Sequence, residues 1–331
     1  MASAPAFWSR PPGLASGLLA PLAELWERAG RLREAFARPY RAPIPVLCVG
    51  NLVAGGAGKT PVALSLASRL LAEGVRVHAL LRGHGGRAKG PLSVDPAKEG
   101  AREVGDEALL YARIMPTWVA RDRAEGARAA AKAGAAAILL DDGLQNPGIE
   151  KTLSLLVVDA AYGFGNGRVI PAGPLRESLE RGLARAGAPV LLGEGAAPAE
   201  LSAFLPILRA RLKPLSGERF AGRAVFAFAG IGRPQKFFAT LEALGACLAA
   251  TRAFPDHHFY RPREIEGLLQ RARELGALAV TTAKDSVRLP PLLRTAVEVL
   301  EVEIVWEDPA ALRGLLQPFL SAASDAGRSP A

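Results

Sequence analysis

In the stretch VLCVGNLVAGGAGKTP, residues 46–61, a loop of small residues runs directly into a lysine and a threonine. Gly55, Gly56, Ala57 and Gly58 let the backbone turn its N–H groups inward around phosphate oxygens, where a helix start adds partial positive charge. Lys59 can neutralise β- and γ-phosphates, and Thr60 can offer its hydroxyl to Mg²⁺. The strict motif begins on a glycine five residues before Gly58, and this chain has Val53 there. A second feature completes the chemistry. AAAILLDDGLQN puts Asp141 and Asp142 at the C-terminal end of an apolar strand, the edge at which open α/β sheets bind ligands. An acid in that place holds Mg²⁺ directly or through water. Two acids ending a strand can also merely cap a turn, and the glycine loop selects the nucleotide–metal reading. The phosphates belong to a nucleoside triphosphate.

Three further groups have chemical potential. VGDE contains Asp106 and Glu107 near a helix start, which alone reads as a solvated acidic turn. FPDHHFY joins two of the chain's four histidines to Asp256. Such a trio suits either a metal or acid–base work by a histidine beside a carboxylate, and no other His-rich or carboxylate spacing supports a catalytic metal cluster. GFGNGRVIPAGPLRE, residues 163–177, is a Gly/Pro-rich loop ending in Arg176 and Glu177; loops of this kind turn corners or surround a substrate.

The elements that must position these residues alternate from residue 45 onward. PVLCVG, VRVHALL, TWVA, AAAILL, LSLLVV and PVLLG read as strands. Helices follow Lys59, span about 103–114 and cover RAEGARAAAKAG. Apolar strands separated by helices predict a mostly parallel sheet covered on both faces. A boundary falls near KPLSGERFAG, residues 213–222, and the alternation then resumes. RAVFAFAG, CLAATRAF, ALAVTT and VEVLEVEIVW read as strands, PQKFFATLEALG and RPREIEGLLQRARELG as helices. The expected organisation is an N-terminal amphipathic region (1–42), a P-loop domain (43–218), a smaller α/β domain (219–322) and a flexible tail (323–331).

Half of the 331 residues are apolar, and Lys and Arg exceed Asp and Glu by 41 to 32 for a net charge of +9. That excess suits anionic partners: nucleotides, phosphorylated substrates, nucleic acid or an acidic membrane surface. No clustered aromatic and basic stripe supports nucleic acid. Cys48 and Cys247 lie in apolar runs and read as small core residues rather than a disulfide or metal site. No segment has the roughly 20 uninterrupted apolar residues of a membrane span. Near the N-terminus, Leu22, Leu25, Trp26, Ala29, Leu32 and Phe36 recur at helical spacing among Arg28, Arg31, Arg33 and Arg38, with Pro21 suited to the first helical position. Such a helix lies on an anionic bilayer surface or packs on its own domain.

Taken together, the blocks resemble the tetraacyldisaccharide 4′-kinase family, the lipid A 4′-kinases of Gram-negative bacteria. The matching stretches are VGNLVAGGAGKTP, RGHGG (82–86), VGDE (104–107), DDGLQN (141–146), GFGNGRVIPAGPLRE, FAGIGRPQKFF (228–238), FPDHHFY (254–260) and TTAKDSVRL (281–289). They appear in the family's order and span most of the chain, and the family's loop also lacks the glycine that Val53 replaces. The resemblance implies two α/β domains with a cleft between them. It also implies transfer of phosphate from ATP to the 4′-hydroxyl of an acylated glucosamine disaccharide 1-phosphate. The place implied is the cytoplasmic face of the inner membrane, with the N-terminal helix contacting the anionic surface.

By the same resemblance, Lys59 and Thr60 bind phosphate and Mg²⁺, and Asp142 with Asp141 holds the metal. Asp106 takes the proton from the sugar hydroxyl, with His257 tuning or orienting it. Gln145 neighbours the nucleotide; Glu107, Asn166 and Arg176 neighbour the substrate. Two positions depart from the family: Asn146 stands where a histidine is usual, and His84 where an aromatic is usual. Asn146 cannot carry a proton, so His84 is the expected substitute if the histidine's charge matters. The competing readings are a P-loop ATPase or GTPase switch and a kinase of a soluble small molecule. TAKD, residues 282–285, only loosely matches a guanine-reading motif, and Ala54 stands where one dimerising ATPase class has a lysine.

Overall fold

The computed structural model describes residues 5–326. After the long helix α1 (Leu14–Ala35), β1 (Val46–Gly50) feeds through the glycine loop into α2 (Lys59–Ala72), and β2 (Val77–Leu81) follows. Next come β3 (Leu92–Ser93), α3 (Ala101–Val104), α4 (Asp106–Ala112), β4 (Thr117–Val119), α5 (Arg123–Lys132) and β5 (Ala137–Asp141). β6 (Leu153–Asp159), α6 (Leu179–Ala184), β7 (Ala188–Leu192) and β8 (Leu208–Pro214) complete the first run. The second run is β9 (Ala224–Ala229), α7 (Pro234–Ala243), β10 (Cys247–Ala253), α8 (Pro262–Glu274), β11 (Leu278–Thr282), α9 (Ala283–Ser286), α10 (Pro291–Arg294) and β12 (Glu298–Leu300). The chain closes with β13 (Val302–Trp306) and α11 (Pro309–Ala326).

Nine strands form one sheet in the order β13-β8-β7-β6-β1-β5-β2-β4-β3. Its interior is parallel, and only β13 and β3 at the two edges run antiparallel. Every residue of β1, β2, β5 and β7 is buried, as expected when helices cover both faces. β1 sits where the strand order reverses, with β6 on one side and β5 on the other. Ligands bind outside such a switch point, and both the glycine loop and Asp141 emerge there. The smaller sheet, β10-β9-β11-β12, is parallel throughout.

Several sequence expectations need correction. VEVLEVEIVW is two strands in two sheets. β12 joins β11, whereas β13 crosses back to pair with β8, Ile304 opposite Leu212. Ile304 and Trp306 are buried with Leu312, Leu316 and Phe319 of α11, and the Trp306 indole donates to Ser65 Oγ of α2. That burial holds residues 302–326 on the large sheet, so the chain passes twice between the units through the β8–β13 ribbon. The other half of this ribbon is LRARLKP, a strand whose basic residues hide it in the sequence. The tail expected from residue 323 continues α11 to Ala326, and 327–331 lie outside the described residues.

The expected helix over 103–114 is broken at Gly105, whose φ is +85°. A side chain there would come within 2.5 Å of the His84 carbonyl oxygen. Pro21 lies inside α1 rather than at its start, because the helix begins at Leu14. Cys48 is buried in β1, but Cys247 is exposed. β10 is an edge strand, so the apolar run around Cys247 is not enclosed on both sides.

α1 is inverted relative to an ordinary surface helix. Its buried members are Ser16, Ala23 and Glu27. Glu27 accepts from the Ser178 amide at 2.8 Å and from Arg181 at 2.9 Å, and Glu34 pairs with Arg181 and Arg185. The Trp26 indole donates to the Arg176 carbonyl at 2.9 Å. The helix therefore docks by polar contacts and leaves its leucines outward: Leu18 is 81% and Phe36 83% exposed.

Candidate active site

The glycine loop is anchored before it reaches the phosphate position. Val53 is buried and bridged to Leu175, and the Ala54 amide donates to the Pro174 carbonyl at 2.7 Å. The first half of the loop is thus fastened to the 163–177 segment, and a glycine at 53 is not required. Gly58 is required: its φ is +79°, and a side chain would meet Leu192 at 2.2 Å. Gly55 and Gly56 face open space, where backbone amides can meet a ligand. Lys59 Nζ lies 3.0 Å from Asn51 Oδ1 and 3.5 Å from Asp142 Oδ1. Gln145 holds Asn51 in turn, donating to its carbonyl and to Glu177 at 3.0 Å each.

Asp141 and Asp142 behave differently. Asp141, in register with Val49 of β1, is buried, and its Oδ1 has no hydrogen-bond partner. Burial, with Glu107 and Asp142 nearby, pushes its carboxyl up to about 7. Asp142 has a φ of +50° and accepts from Arg176 at 2.8 and 2.9 Å. Burial opposes its charge, but Lys59 and Arg176 hold its carboxyl below the usual carboxylate value. An unpartnered carboxylate oxygen on a side chain that lines the same cleft as the glycine loop fits a cation. Thr60, Asp141 and Asp142 are the residues that would hold Mg²⁺. Among the described residues no group of three or more His, Cys, Asp or Glu encloses a metal. A cation here would therefore rely on the nucleotide's own oxygens, as Mg²⁺ does.

Across the cleft, Asp106 and His257 meet. Asp106 opens α4 and is 3% exposed; His257 Nδ1 lies 3.1 and 2.9 Å from its two oxygens. Burial works against the Asp106 charge, yet His257, Lys284 and Arg288 together lower its carboxyl pKa. His257 has a φ of +59°. It and Asp142 are two of three non-glycine residues with positive φ among the described residues, and such strain collects at functional sites. His257 lines the cleft wall, and Asp106 lies behind it.

The cleft brings together Gly55–Thr60, Asp141, Asp142, Gln145, Arg176, Glu107 and His257, but not Asn166. Asn166 instead staples its own loop, donating to the Ala172 carbonyl at 3.0 Å. Glu107 accepts from Thr60 Oγ1 at 3.3 Å. Asn146 receives the Gly148 amide at 2.8 Å and shapes a turn. His84 packs edge-on against His257, with ring centroids 5.5 Å apart, and so stands beside the Asp106–His257 contact.

Residues that sequence reasoning missed come from the smaller unit. Lys284 contacts Glu107, and Arg288, fully buried, lies 3.5 Å from Asp106 and 2.7 Å from Asp285. Arg233 and Lys236 both reach Asp159 at the end of β6, at 2.7 and 2.8 Å. Charged residues inside the block TTAKDSVRL were the available signal, since burial of such groups demands partners.

The model of the family Tetraacyldisaccharide-1-P 4′-kinase matches residues 15–321. A tetraacyldisaccharide 4′-kinase of Rhodospirillum centenum is 59% identical over 98% of this chain and 99% of its own. One from Gluconacetobacter diazotrophicus is 53% identical over 97% and 99%. The crystal structure of LpxK from Aquifex aeolicus in complex with ATP superposes with a TM-score of 0.73 at 26% identity, covering 93% of this chain and 100% of that one. With the phosphate loop, the paired aspartates and the matched length in agreement, the chain belongs to the tetraacyldisaccharide 4′-kinase family.

Proposed function

We propose that this chain transfers the γ-phosphate of ATP to the 4′-hydroxyl of a tetraacylated glucosamine disaccharide 1-phosphate, a step of lipid A biosynthesis. The observation that carries this reading is the position of the Asp106–His257 pair across one cleft from Lys59 and Asp142. The cleft encloses about 2140 Å³, against roughly 300–1,000 Å³ for a site holding one small ligand. That leaves room for a nucleotide and a large acceptor together.

Phosphoryl transfer passes through a loose transition state, so the protein's work is positioning and charge neutralisation. Lys59, steadied by Asn51 and Asp142, meets the phosphate oxygens beside the amides of Gly55–Gly58. Arg176 orients Asp142, and Thr60, Asp141 and Asp142 would hold Mg²⁺. When bound, that ion supplies positive charge and aligns the phosphates. The Asp106–His257 pair removes the acceptor proton as a unit, a role worth on the order of 10²–10⁴-fold. Gln145 shapes the nucleotide side, while Glu107 and Arg176 face the acceptor.

A water-insoluble acceptor has to be met at a bilayer. No helix among the described residues is long and apolar enough to cross one. The outward leucines of α1 instead suit an interfacial helix, and its arginines suit anionic lipid. The proposed place is peripheral, on the cytoplasmic face of the inner membrane.

The test is transfer of label from γ-labelled ATP to a detergent-dispersed tetraacyl disaccharide 1-phosphate, with Lys59→Ala as control. Labelled lipid that disappears in the variant supports the reading. Release of free phosphate without labelled lipid would favour a P-loop ATPase, and label on a water-soluble acceptor a small-molecule kinase.

A further inference from the structure

The two flanks of the glycine loop are built differently. Asp141 and Asp142 stand on the β5 side of β1, and on the β6 side two cations of the smaller unit converge on Asp159. Arg233 Nη1 and Lys236 Nζ lie 2.7 and 2.8 Å from the same oxygen, Oδ2. The other oxygen, Oδ1, accepts from the Ala161 amide at 3.0 Å. Among the described residues neither cation pairs with another carboxylate. Two positive charges therefore share one negative charge. Burial opposes the charge on Asp159, but Lys236, Arg233 and the Ala161 amide hold its carboxyl below the ordinary carboxylate value, so it is an anion at neutral pH.

This trio reaches the glycine loop by two routes. Gly232, the residue before Arg233, stands against the loop: a side-chain carbon placed on it would lie 3.6 Å from the Gly56 nitrogen. Asp159 is paired in the sheet with Leu192 of β7, and the Leu192 side chain closes on Gly58. All three residues line the cleft that contains Gly55–Thr60. The cations are not sealed in their ion pairs, since the Arg233 and Lys236 side chains are 34% and 59% exposed. Arg233 also lies flat enough to stack, its guanidinium 4.8 Å from the Tyr162 ring centre. A stacked guanidinium keeps its in-plane donors for oxygen anions.

We propose that Arg233 and Lys236 are ligands of the nucleotide's phosphates on the β6 side of the glycine loop, and that Asp159 competes with those phosphates for them. The proposal rests on the reading of this cleft as a nucleotide site. A triphosphate carries more negative charge than Lys59 and one Mg²⁺ neutralise, and both of those act on the loop or on its β5 side. The β6 side is where the phosphate chain leaves towards the nucleoside, so the cations meet phosphates that ATP and ADP share. Charge-assisted bonds to phosphate are stronger than partly solvated ion pairs, which lets the nucleotide win the exchange. The smaller unit then contributes directly to nucleotide binding.

The experiment is isothermal calorimetry of the full-length protein with ATP and with ADP, both in MgCl₂. Arg233→Gln combined with Lys236→Met should weaken both nucleotides by about 10–100-fold. Arg233→Gln alone, at about 10-fold, serves if the double variant does not fold. Asp159→Asn should tighten both by about 3–10-fold, the effect of removing a competitor held through two partly exposed ion pairs. The opposite signs are decisive, because a purely structural ion pair shifts affinity the same way whichever partner is removed. Lys236→Arg should bind as wild type does. Weaker binding in Asp159→Asn overturns the proposal, as does unchanged or tighter binding in a folded Arg233→Gln. A loss confined to ATP also overturns it, by placing the cations at the γ-phosphate. Wild-type binding that disappears in Lys59→Ala secures the nucleotide reading separately, and a wild-type protein with no affinity for ATP would overturn both. No acceptor is present, so failure of lipid labelling would be a different result.

Discussion

Asp141→Asn should stabilise the metal-free protein while abolishing its response to Mg²⁺. The carboxyl of Asp141 is buried, has an unpartnered oxygen, and is raised from 3.8 to about 7 by burial and by Glu107 and Asp142. In the unfolded chain it ionises near its ordinary value. Between about pH 4 and 7 the unfolded state has lost a proton that the folded state keeps. Stability therefore falls as pH rises through that window and levels off above it. A shift of about 3 units at about 1.4 kcal/mol each gives an upper bound of about 4 kcal/mol. At roughly 2 °C per kcal/mol for a chain of this size, the limit is a change of about 8 °C in Tm.

Asparagine has the same shape and no charge, so its advantage is greatest at pH 8 and vanishes near pH 4. Thermal unfolding in EDTA at pH 5 and 8, followed by circular dichroism, measures the difference. Saturating MgCl₂ together with ATP at pH 8 should raise the wild-type Tm above its value with ATP in EDTA, and leave that of Asp141→Asn unmoved. An Asp141→Asn protein less stable than wild type in EDTA at pH 8 would refute the reasoning, since the carboxylate would then already be compensated.

Three other outcomes are expected. Asp106→Asn should reduce kcat by about 10²–10⁴-fold while the Kd for ATP, by isothermal calorimetry, stays within a few-fold; normal turnover would remove Asp106 from the pair. Replacing Leu18, Leu22 and Leu25 together by serine should abolish co-sedimentation with anionic vesicles and spare turnover of a detergent-dispersed acceptor, because these side chains point away from the protein; undiminished sedimentation would defeat the membrane role of α1. Glu27→Ala removes the carboxylate that receives the Ser178 amide and Arg181. It should weaken docking of α1 by about 2–3 kcal/mol, seen as faster hydrogen exchange across residues 14–35. Unchanged exchange there would mean that the ion pairs of α1 do not hold it.

The parts legible in the sequence are those governed by local rules. The apolar strands, the glycine loop and the acids at the end of β5 are adjacent in sequence to the geometry they create. Period, turn chemistry and strand-end position suffice for them. Val53 was visible as an oddity, but its reason, the bridge to Leu175, joins segments more than a hundred residues apart. The same holds for α1. Its amphipathic pattern was plain, yet only the ion pairs of Glu27 and Glu34 with the 178–185 segment decide that its polar side faces inward.

Tertiary structure alone decided the partnerships across the cleft. Asp106 and His257 are 151 positions apart, and no spacing rule connects them; the resemblance paired them, and the fold sets which nitrogen meets which oxygen. VEVLEVEIVW looked like one strand because alternation does not reveal which sheet a strand joins. Its second half crosses because Ile304 and Trp306 find a buried face only against α2 and α11. Lys284 and Arg288 were ordinary charges on the page, and became site residues because the smaller unit buries them beside carboxylates of the larger one. Local sequence determined the loop that can hold phosphate; long-range packing decided what faces it, because charge pairing depends on distances that only the folded chain sets.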